Sequence, residues 1–211
     1  MNATTLRTRL NPLILALALV IGPMAPPAQA AVLLNDSFDR ADGPITNDLD
    51  SGWTRHSGVE GETQITSGLL ELTRSQTEDL HHGWNAALSD DATEVFYGFD
   101  LIVRRRPSNG GAYFATINHT ISQARLFLYS TPDDPDDRFR MALSNASGDR
   151  SLATAWEEPL PLDVSIRIVV RYEITSGNSQ LWASPEDSSS PKITASDTPS
   201  PRRPTTFVWR Q

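Results

Sequence analysis

Two acidic stretches of the sequence carry the oxygen ligands that a hard cation prefers. The first is the run Asp133-Asp134-Pro135-Asp136-Asp137. Calcium binds carboxylate and carbonyl oxygens in flexible geometry, so Asp133, Asp134 and Asp136 are candidate calcium ligands. The run lacks the spacing of an EF-hand loop, and Pro and Asp are also frequent turn residues. A solvated hairpin turn is therefore the competing interpretation.

The second oxygen-rich stretch lies near the start of the chain and offers the same chemistry. Its members are Asp36, Asp39, Asp42, Asn47, Asp48 and Asp50. A structural calcium here is a further hypothesis. No other cofactor is predicted.

Residues suited to catalysis are not spaced for it. His81 and His82 are adjacent, so on a strand they point to opposite faces, and no third metal ligand follows nearby. His56 and His119 are isolated, the G-x-S-x-G nucleophile motif is absent, and there is no cysteine. The pair Glu157-Glu158 precedes a proline and is typical of a loop. We therefore predict no catalytic residue.

Five tryptophans offer flat apolar surfaces on which a sugar ring can stack, although buried tryptophan is the commoner case. Trp84 and Trp156 lie in loop-like sequence and are the candidate ligand-binding residues. Core or loop packing is the alternative role for both. The basic triplet Arg104-Arg105-Arg106 precedes a proline, and we interpret it as a solvated strand end.

Residues 1–30 have the pattern of a cleavable signal peptide. Arg7 and Arg9 precede a short apolar stretch, and Ala28-Gln29-Ala30 matches a signal peptidase site. The apolar stretch is about half the ~20 residues that span a bilayer, and no later segment is long and apolar enough to do so. We expect a periplasmic, cell-surface or secreted protein in which residues 31–211 form one domain.

The net charge and the spacing of apolar residues restrict the classes of partner and of fold. The net charge of −8 disfavours nucleic acid as a partner. Apolar and polar residues alternate with a period of two in several segments separated by turn residues, which indicates an all-β sandwich or barrel. The strands are expected at 69–73, 95–103, 113–117, 125–130, 138–143, 164–174, 179–184 and 207–209.

Two other segments lack this alternation. The stretch 184–204 is rich in Ser, Pro, Thr and Asp and is interpreted as a long surface loop or a partly disordered segment. One helical turn is the strongest expectation within 75–88.

Several motifs resemble those of concanavalin A-like (LamG-like) jelly-roll domains in exported bacterial proteins. They are Asp36-Ser-Phe-Asp-Arg-Ala-Asp-Gly43 followed by Gly52-Trp53, then Gly68-Leu-Leu-Glu-Leu72, then Val169-Val-Arg-Tyr-Glu173 with Leu181-Trp-Ala-Ser-Pro185. The resemblance implies a jelly-roll sandwich of two antiparallel sheets, with Trp53 and Trp182 in its core. Members of this fold usually continue beyond a segment such as 207–211 into a strand that pairs beside the first, so we expect an incomplete edge next to residues 32–38.

The resemblance favours a non-catalytic binding or adhesion module for a polysaccharide or another cell-surface ligand. A glycan-active hydrolase or lyase with an atypical site is the first alternative, since hydrolases of this fold carry an E-x-D-x-E-like run that is absent here. A structural surface protein that binds other proteins is the second. No feature of the sequence sets an oligomeric state.

Overall fold

The computed structural model describes residues 31–118 and 121–211, which form fifteen strands and three short 3-10 turns. The first seven strands are β1 (Gly43–Pro44), β2 (Thr54–Ser57), β3 (Gln64–Thr66), β4 (Leu69–Glu71), β5 (Asp79–Gly83), β6 (Glu94–Ile102) and β7 (Ala112–Asn118). The others are β8 (Ser122–Tyr129), β9 (Arg138–Ser144), β10 (Thr154–Ala155), β11 (Leu160–Pro161), β12 (Ser165–Glu173), β13 (Ser179–Ala183), β14 (Ile193–Thr194) and β15 (Thr206–Trp209). The 3-10 turns are Ile45–Asn47, Leu49–Ser51 and Arg150–Leu152.

The strands form three antiparallel sheets. The large sheet has the order β10-β9-β8-β7-β15-β5-β2, and β11 also pairs with β9. The second sheet has the order β14-β13-β12-β6, and a small third sheet has the order β1-β3-β4. No helix in the described part of the chain is long and apolar enough to cross a membrane.

The large sheet and the second sheet pack face to face as a β-sandwich. Period-two alternation turns Tyr97 and Phe99 of β6 inward, where they meet Phe207 and Trp209 of β15. The ring centroids of Phe99 and Trp209 are 4.8 Å apart and their planes are tilted by 70°, which is a favourable edge-to-face contact. The Tyr97 hydroxyl donates to the carbonyl of Ala124 across the core at 2.5 Å. The all-β sandwich predicted from the sequence is confirmed.

Most of the expected strands are present within one to three residues of their predicted ends. Two local predictions were wrong. The segment Asp79–Gly83 is a strand between β15 and β2, not part of a helical turn. Residues 32–38 form no strand, so there is no strand edge at that position. One open edge of the second sheet is β6, which pairs with β12 on one side and with no strand of residues 31–118 or 121–211 on the other.

The stretch 184–204 is a surface segment anchored at several points. Ile193 and Thr194 add β14 to the second sheet. The Tyr172 hydroxyl, on a fully buried ring, accepts from the Arg202 backbone N–H at 2.9 Å and lies 3.1 Å from the carbonyl of Ser200. The Arg203 guanidinium donates to backbone carbonyls between residues 88 and 90. The chain then enters the middle of the large sheet as β15.

Candidate functional site

A cleft of about 430 Å³ lies on the outer face of the large sheet. It is lined by residues 110–113 and 148–151 and by Phe127, Arg210 and Gln211. We call it the arginine cleft, after Arg150 and Arg210. Its floor consists of strands in the middle of the large sheet, and one wall is the loop that follows β9.

A β-bulge brings an aromatic ring to this outer face. The pairing of β7 with β8 shifts between Tyr113 and Ala115, so Phe114 and Ala115 both pack into the core. Tyr113 therefore lies on the opposite face, where it packs with Phe127 in a small cluster separate from the core. Simple alternation along 113–117 would place Tyr113 on the same face as Ala115, but the bulge turns it to the opposite face.

Three arginines converge on the rings of this outer cluster. The guanidinium carbons of Arg125 and Arg210 lie 4.8 Å and 4.6 Å from the centroid of the Tyr113 ring. Because β8 and β15 pair with opposite edges of β7, the two arginines approach Tyr113 from opposite sides. The guanidinium carbon of Arg150 lies 4.4 Å from the Tyr129 ring centroid. Cation–π contacts of this kind hold the guanidinium groups in place.

The three arginines differ in whether a carboxylate neutralises their positive charge. Arg210 donates to Asp79 at 2.9 Å and also contacts the hydroxyl of Tyr113. Arg125 and Arg150 have no carboxylate within 4.0 Å among the described residues. Burial lowers the pKa of Arg125, and the charge of Asp197 opposes this shift. The lining of the cleft therefore includes one guanidinium group, that of Arg150, without a paired carboxylate among the described residues.

The wall of the cleft is held from below by one carboxylate. Asp197 accepts backbone N–H groups of Asn145, Ala146 and Ser147 at 2.6–3.1 Å and the Ser144 hydroxyl at 2.8 Å. Burial raises the pKa of Asp197, but these hydrogen bonds outweigh it and hold the pKa below its ordinary value. The loop that continues into 148–151 is thus fixed to the end of β14.

Glycine is required in the floor of the cleft. Gly111 has φ +65°, and a Cβ there would lie 2.7 Å from the Tyr129 Cβ and 2.8 Å from the carbonyl of Leu128. Its neighbour Gly110 has open space in place of a side chain. The Asn109-Gly110-Gly111 sequence, expected to be a turn, therefore also allows the backbone to approach β8 closely.

A second cleft of about 400 Å³ contains the Asp36 motif region. Asp36 accepts from the Trp53 indole Nε1 at 2.7 Å, from Arg40 Nη2 at 2.5 Å and from the Phe38 backbone N–H at 2.8 Å. Asp48 accepts from the Asp50 backbone N–H and from Arg40. These oxygens stabilise the turn that places Trp53 in the core.

The acidic turn at 133–137 is likewise stabilised from within. Asp134 is buried and accepts from Arg140 Nε and from the Thr131 backbone N–H, both at 2.7 Å. Asp136 pairs with Arg106 at 2.6 Å, whereas Asp133 is exposed.

The two acidic stretches have arginine and backbone partners in place. Within residues 31–118 and 121–211, no group of three His, Cys, Asp or Glu is placed to hold a metal ion. Of the predicted calcium ligands, Asp134 and Asp136 bind arginines and Asp133 is exposed, and their role in calcium binding stays a prediction.

The two candidate tryptophans lie apart from both clefts. The Trp84 indole donates to the carbonyl of Pro204 at 2.7 Å, and the Trp156 backbone N–H donates to Met141 at 2.9 Å. Both rings are half-buried and pack against the core. Their role in ligand binding stays a prediction. Trp182 is buried but lies outside the core cluster, beneath Lys192 at 5.3 Å.

The histidines diverge as expected from strand geometry. His81 Nε2 lies 3.1 Å from the Thr54 hydroxyl, and its ring is edge-on to His56 at 5.8 Å. His82 instead packs against Trp53, with ring centroids 5.2 Å apart. Burial, followed by the charges of His56 and His82, lowers the pKa of His81. His119 lies outside the described residues.

Comparison with known proteins adds little. No family model matches the chain, and no curated protein matches it. A solved structure described as "Sialidase" is similar over 83% of this chain, with a TM-score of 0.49 and 14% identity. The similar region spans 15% of that protein. At this identity and TM-score, the likeness carries no inference about ligand or activity. The fold and the site together define an antiparallel β-sandwich domain with an arginine-lined cleft on the outer face of its large sheet.

Proposed function

We propose that this chain is an exported, LamG-like carbohydrate-binding module whose ligand binds in the arginine cleft. The observation that carries the proposal is the arginine–tyrosine arrangement itself. Arg125 and Arg210 flank Tyr113; Tyr113 and Arg125 project from β7 and β8 in the middle of the sheet, and Arg210 directly follows β15. Groups held on strands keep their geometry better than groups on loops, which favours specific binding.

The size and chemistry of the cleft suit one or a few sugar units. Its volume of about 430 Å³ lies in the range of small-ligand pockets, roughly 300–1,000 Å³. Guanidinium groups, the Ser151 hydroxyl and backbone groups of 110–112 supply hydrogen-bonding partners for hydroxyl groups.

Binding is favoured over hydrolysis by the carboxylates of the cleft. Glycoside hydrolysis usually needs two carboxyl groups facing each other across the bond that is cleaved. The carboxylate that lines this cleft is Asp149, and its Oδ1 accepts from both the backbone and the hydroxyl of Ser151 at 2.8 Å. The role of Asp149 is to shape the loop.

A steric block of the cleft tests the proposal. Gly110 lines the cleft, and an added Cβ there would meet no atom within 4 Å. We expect Gly110→Tyr to fill the cleft and abolish binding to glycans that the unmodified protein captures on an array. Gly83→Tyr is the matched control, since Gly83 also has open space, lies on the same sheet and does not line the cleft.

The array also separates the alternatives. Capture of no glycan by the unmodified protein, or unchanged capture by Gly110→Tyr, would overturn the assignment to this cleft. Loss of capture in Trp84→Ala or Trp156→Ala, without a fall in melting temperature, would move the site to those tryptophans.

A further inference from the structure

The arginine cleft contains a guanidinium group without a directly paired carboxylate, and an anionic ligand would supply one. The charged lining residues are Arg150, Arg210 and Asp149. Arg210 is paired with Asp79, and Asp149 accepts hydrogen bonds from Ser151, whereas Arg150 has no carboxylate within 4.0 Å in the part of the chain that the structure describes. Arg125 lies directly beneath the wall, since a Cβ on Gly148 would come within 2.6 Å of its Nη1. Arg125 also has no carboxylate within 4.0 Å among the described residues.

The guanidinium groups keep free donors. Arg150 uses Nε to donate to the carbonyl of Gly110 at 3.0 Å, and Arg125 uses Nε to donate to the carbonyl of Ser122 at 3.3 Å. Neither Arg150 nor Arg125 has an Nη group hydrogen-bonded to a described residue. Arg150, which lines the cleft, retains the planar pair of N–H groups that binds a carboxylate through two parallel hydrogen bonds.

Both arginines are also positioned in advance of binding. Arg150 lies over Tyr129 and Arg125 over Tyr113, so their side chains lose little conformational freedom when a ligand arrives. The burial that lowers the pKa of Arg125 also marks a cation whose solvation by water is incomplete. Arg125 does not line the cleft, so it acts on an anion there through its charge and not by direct contact.

We propose that the ligand is a carboxylate-bearing sugar, a uronic acid unit of an acidic polysaccharide, whose carboxylate is bound by Arg150 with Arg125 as the second cation nearby. The inference rests on the proposed function and names the chemical class of its ligand. A carboxylate is proposed because its two oxygens match the planar fork of a guanidinium.

Matched pairs of probes test this class directly. Oligomers of galacturonate, glucuronate and mannuronate are titrated by calorimetry beside the same oligomers with methyl-esterified carboxyl groups. We expect esterification to weaken binding by about 10- to 100-fold, the range for loss of a charge-assisted hydrogen-bonded pair. Raising the salt concentration from ~50 to ~500 mM should weaken binding of the acid and leave that of the ester unchanged.

Substitution of Arg150 distinguishes the effect of charge in the cleft from the effect of charge elsewhere on the protein. Arg150→Gln should weaken binding of the acidic oligomer by about 10- to 100-fold and change binding of the ester by less than about twofold. Arg150→Lys keeps the charge but loses the fork, so an intermediate loss is expected. Arg104→Gln is the matched control, because Arg104 is exposed and lies outside the cleft.

Three outcomes would overturn the inference. If neutral glycans or esters bind as tightly as the acids and Gly110→Tyr abolishes that binding, the proposed function stands and the acidic class is wrong. If poly-glutamate or a sulfated oligomer binds as tightly as the uronates, the cleft recognises charge and not a sugar carboxylate. If no glycan of any kind binds, the proposed function itself fails.

Discussion

Removal of the Asp197 carboxylate should destabilise the fold by a predictable amount. Asp197 accepts three backbone N–H groups and one hydroxyl from residues 144–147. A hydrogen bond to a charged group contributes roughly 1.5–3 kcal/mol, but the four bonds are not additive and water reaches this half-buried carboxylate. We therefore expect Asp197→Ala to lower the free energy of unfolding by about 3 kcal/mol, or the melting temperature by ~6–12 °C.

The pH dependence of that difference gives the sharper test. The hydrogen bonds hold the pKa of Asp197 below its ordinary value, despite burial, which raises it. A carboxyl group with a lowered folded-state pKa stabilises the fold above its unfolded pKa of about 4 and loses this contribution as the pH falls through the folded-state value. The gap between the unmodified protein and Asp197→Ala should therefore be constant from pH 8 to 5 and shrink below pH 4.

Urea unfolding at a series of pH values measures this gap. Asp187→Ala is the control, because Asp187 is exposed and its hydrogen bonds come from serines within the same loop. It should leave the unfolding curve unchanged. A gap for Asp197→Ala below about 0.5 kcal/mol at pH 7, or one that does not shrink in acid, would refute the reasoning.

Three further predictions concern the motif aspartate, the Pro-rich segment and the open edge. Asp36→Ala should lower the free energy of unfolding by about 2–3 kcal/mol, because it leaves the buried Trp53 indole N–H without an acceptor; urea unfolding measures it. Tyr172→Phe should cost about 1–2 kcal/mol and increase proteolysis within 184–204, since the hydroxyl anchors that segment. Phe96 is 54% exposed on the open edge strand β6 and should promote association between molecules. Phe96→Lys should therefore reduce concentration-dependent sedimentation. Val164→Lys should not, because Val164 is 48% exposed but does not lie on β6.

Each of these predictions has a result that would contradict it. Asp39→Ala is the control for the motif, because Asp39 is exposed, and equal losses for both aspartates would remove the special role of Asp36. Unchanged cleavage of Tyr172→Phe would show that the segment is held elsewhere. A protein that sediments as a monomer at all concentrations would remove the association expected at the edge.

The sequence predicted the strands well because alternation is a local property. In β12, Ile166, Ile168 and Val170 point inward, as the spacing of apolar residues indicated. Val164 continues the same spacing but is exposed, because Asp163 has φ +58° and the strand starts only at Ser165. Such a local turn is not encoded by hydrophobic spacing.

The candidate site was beyond sequence reasoning for a different reason. Tyr113, Arg125, Arg150 and Arg210 are separated by 12 to 97 positions, and no spacing rule joins them. The one local sign was the run Tyr113-Phe-Ala115, three apolar residues in a row where alternation predicts a polar one. The acidic stretches were predicted as metal sites instead, because carboxylates close together in the sequence are typical metal ligands. Their arginine partners become apparent only in the folded structure.

The order of residue types along the chain therefore determined the all-β class and the positions of the turns. The reason is that the side chains of a strand alternate between its two faces whichever strand it pairs with. The tertiary structure alone decided what those side chains do. The order of the large sheet places β8 and β15 on either side of β7, and that order brings two arginines to one tyrosine. Sheet order depends on pairing between distant segments, so a charged cleft of this kind becomes visible only once the strands are assembled.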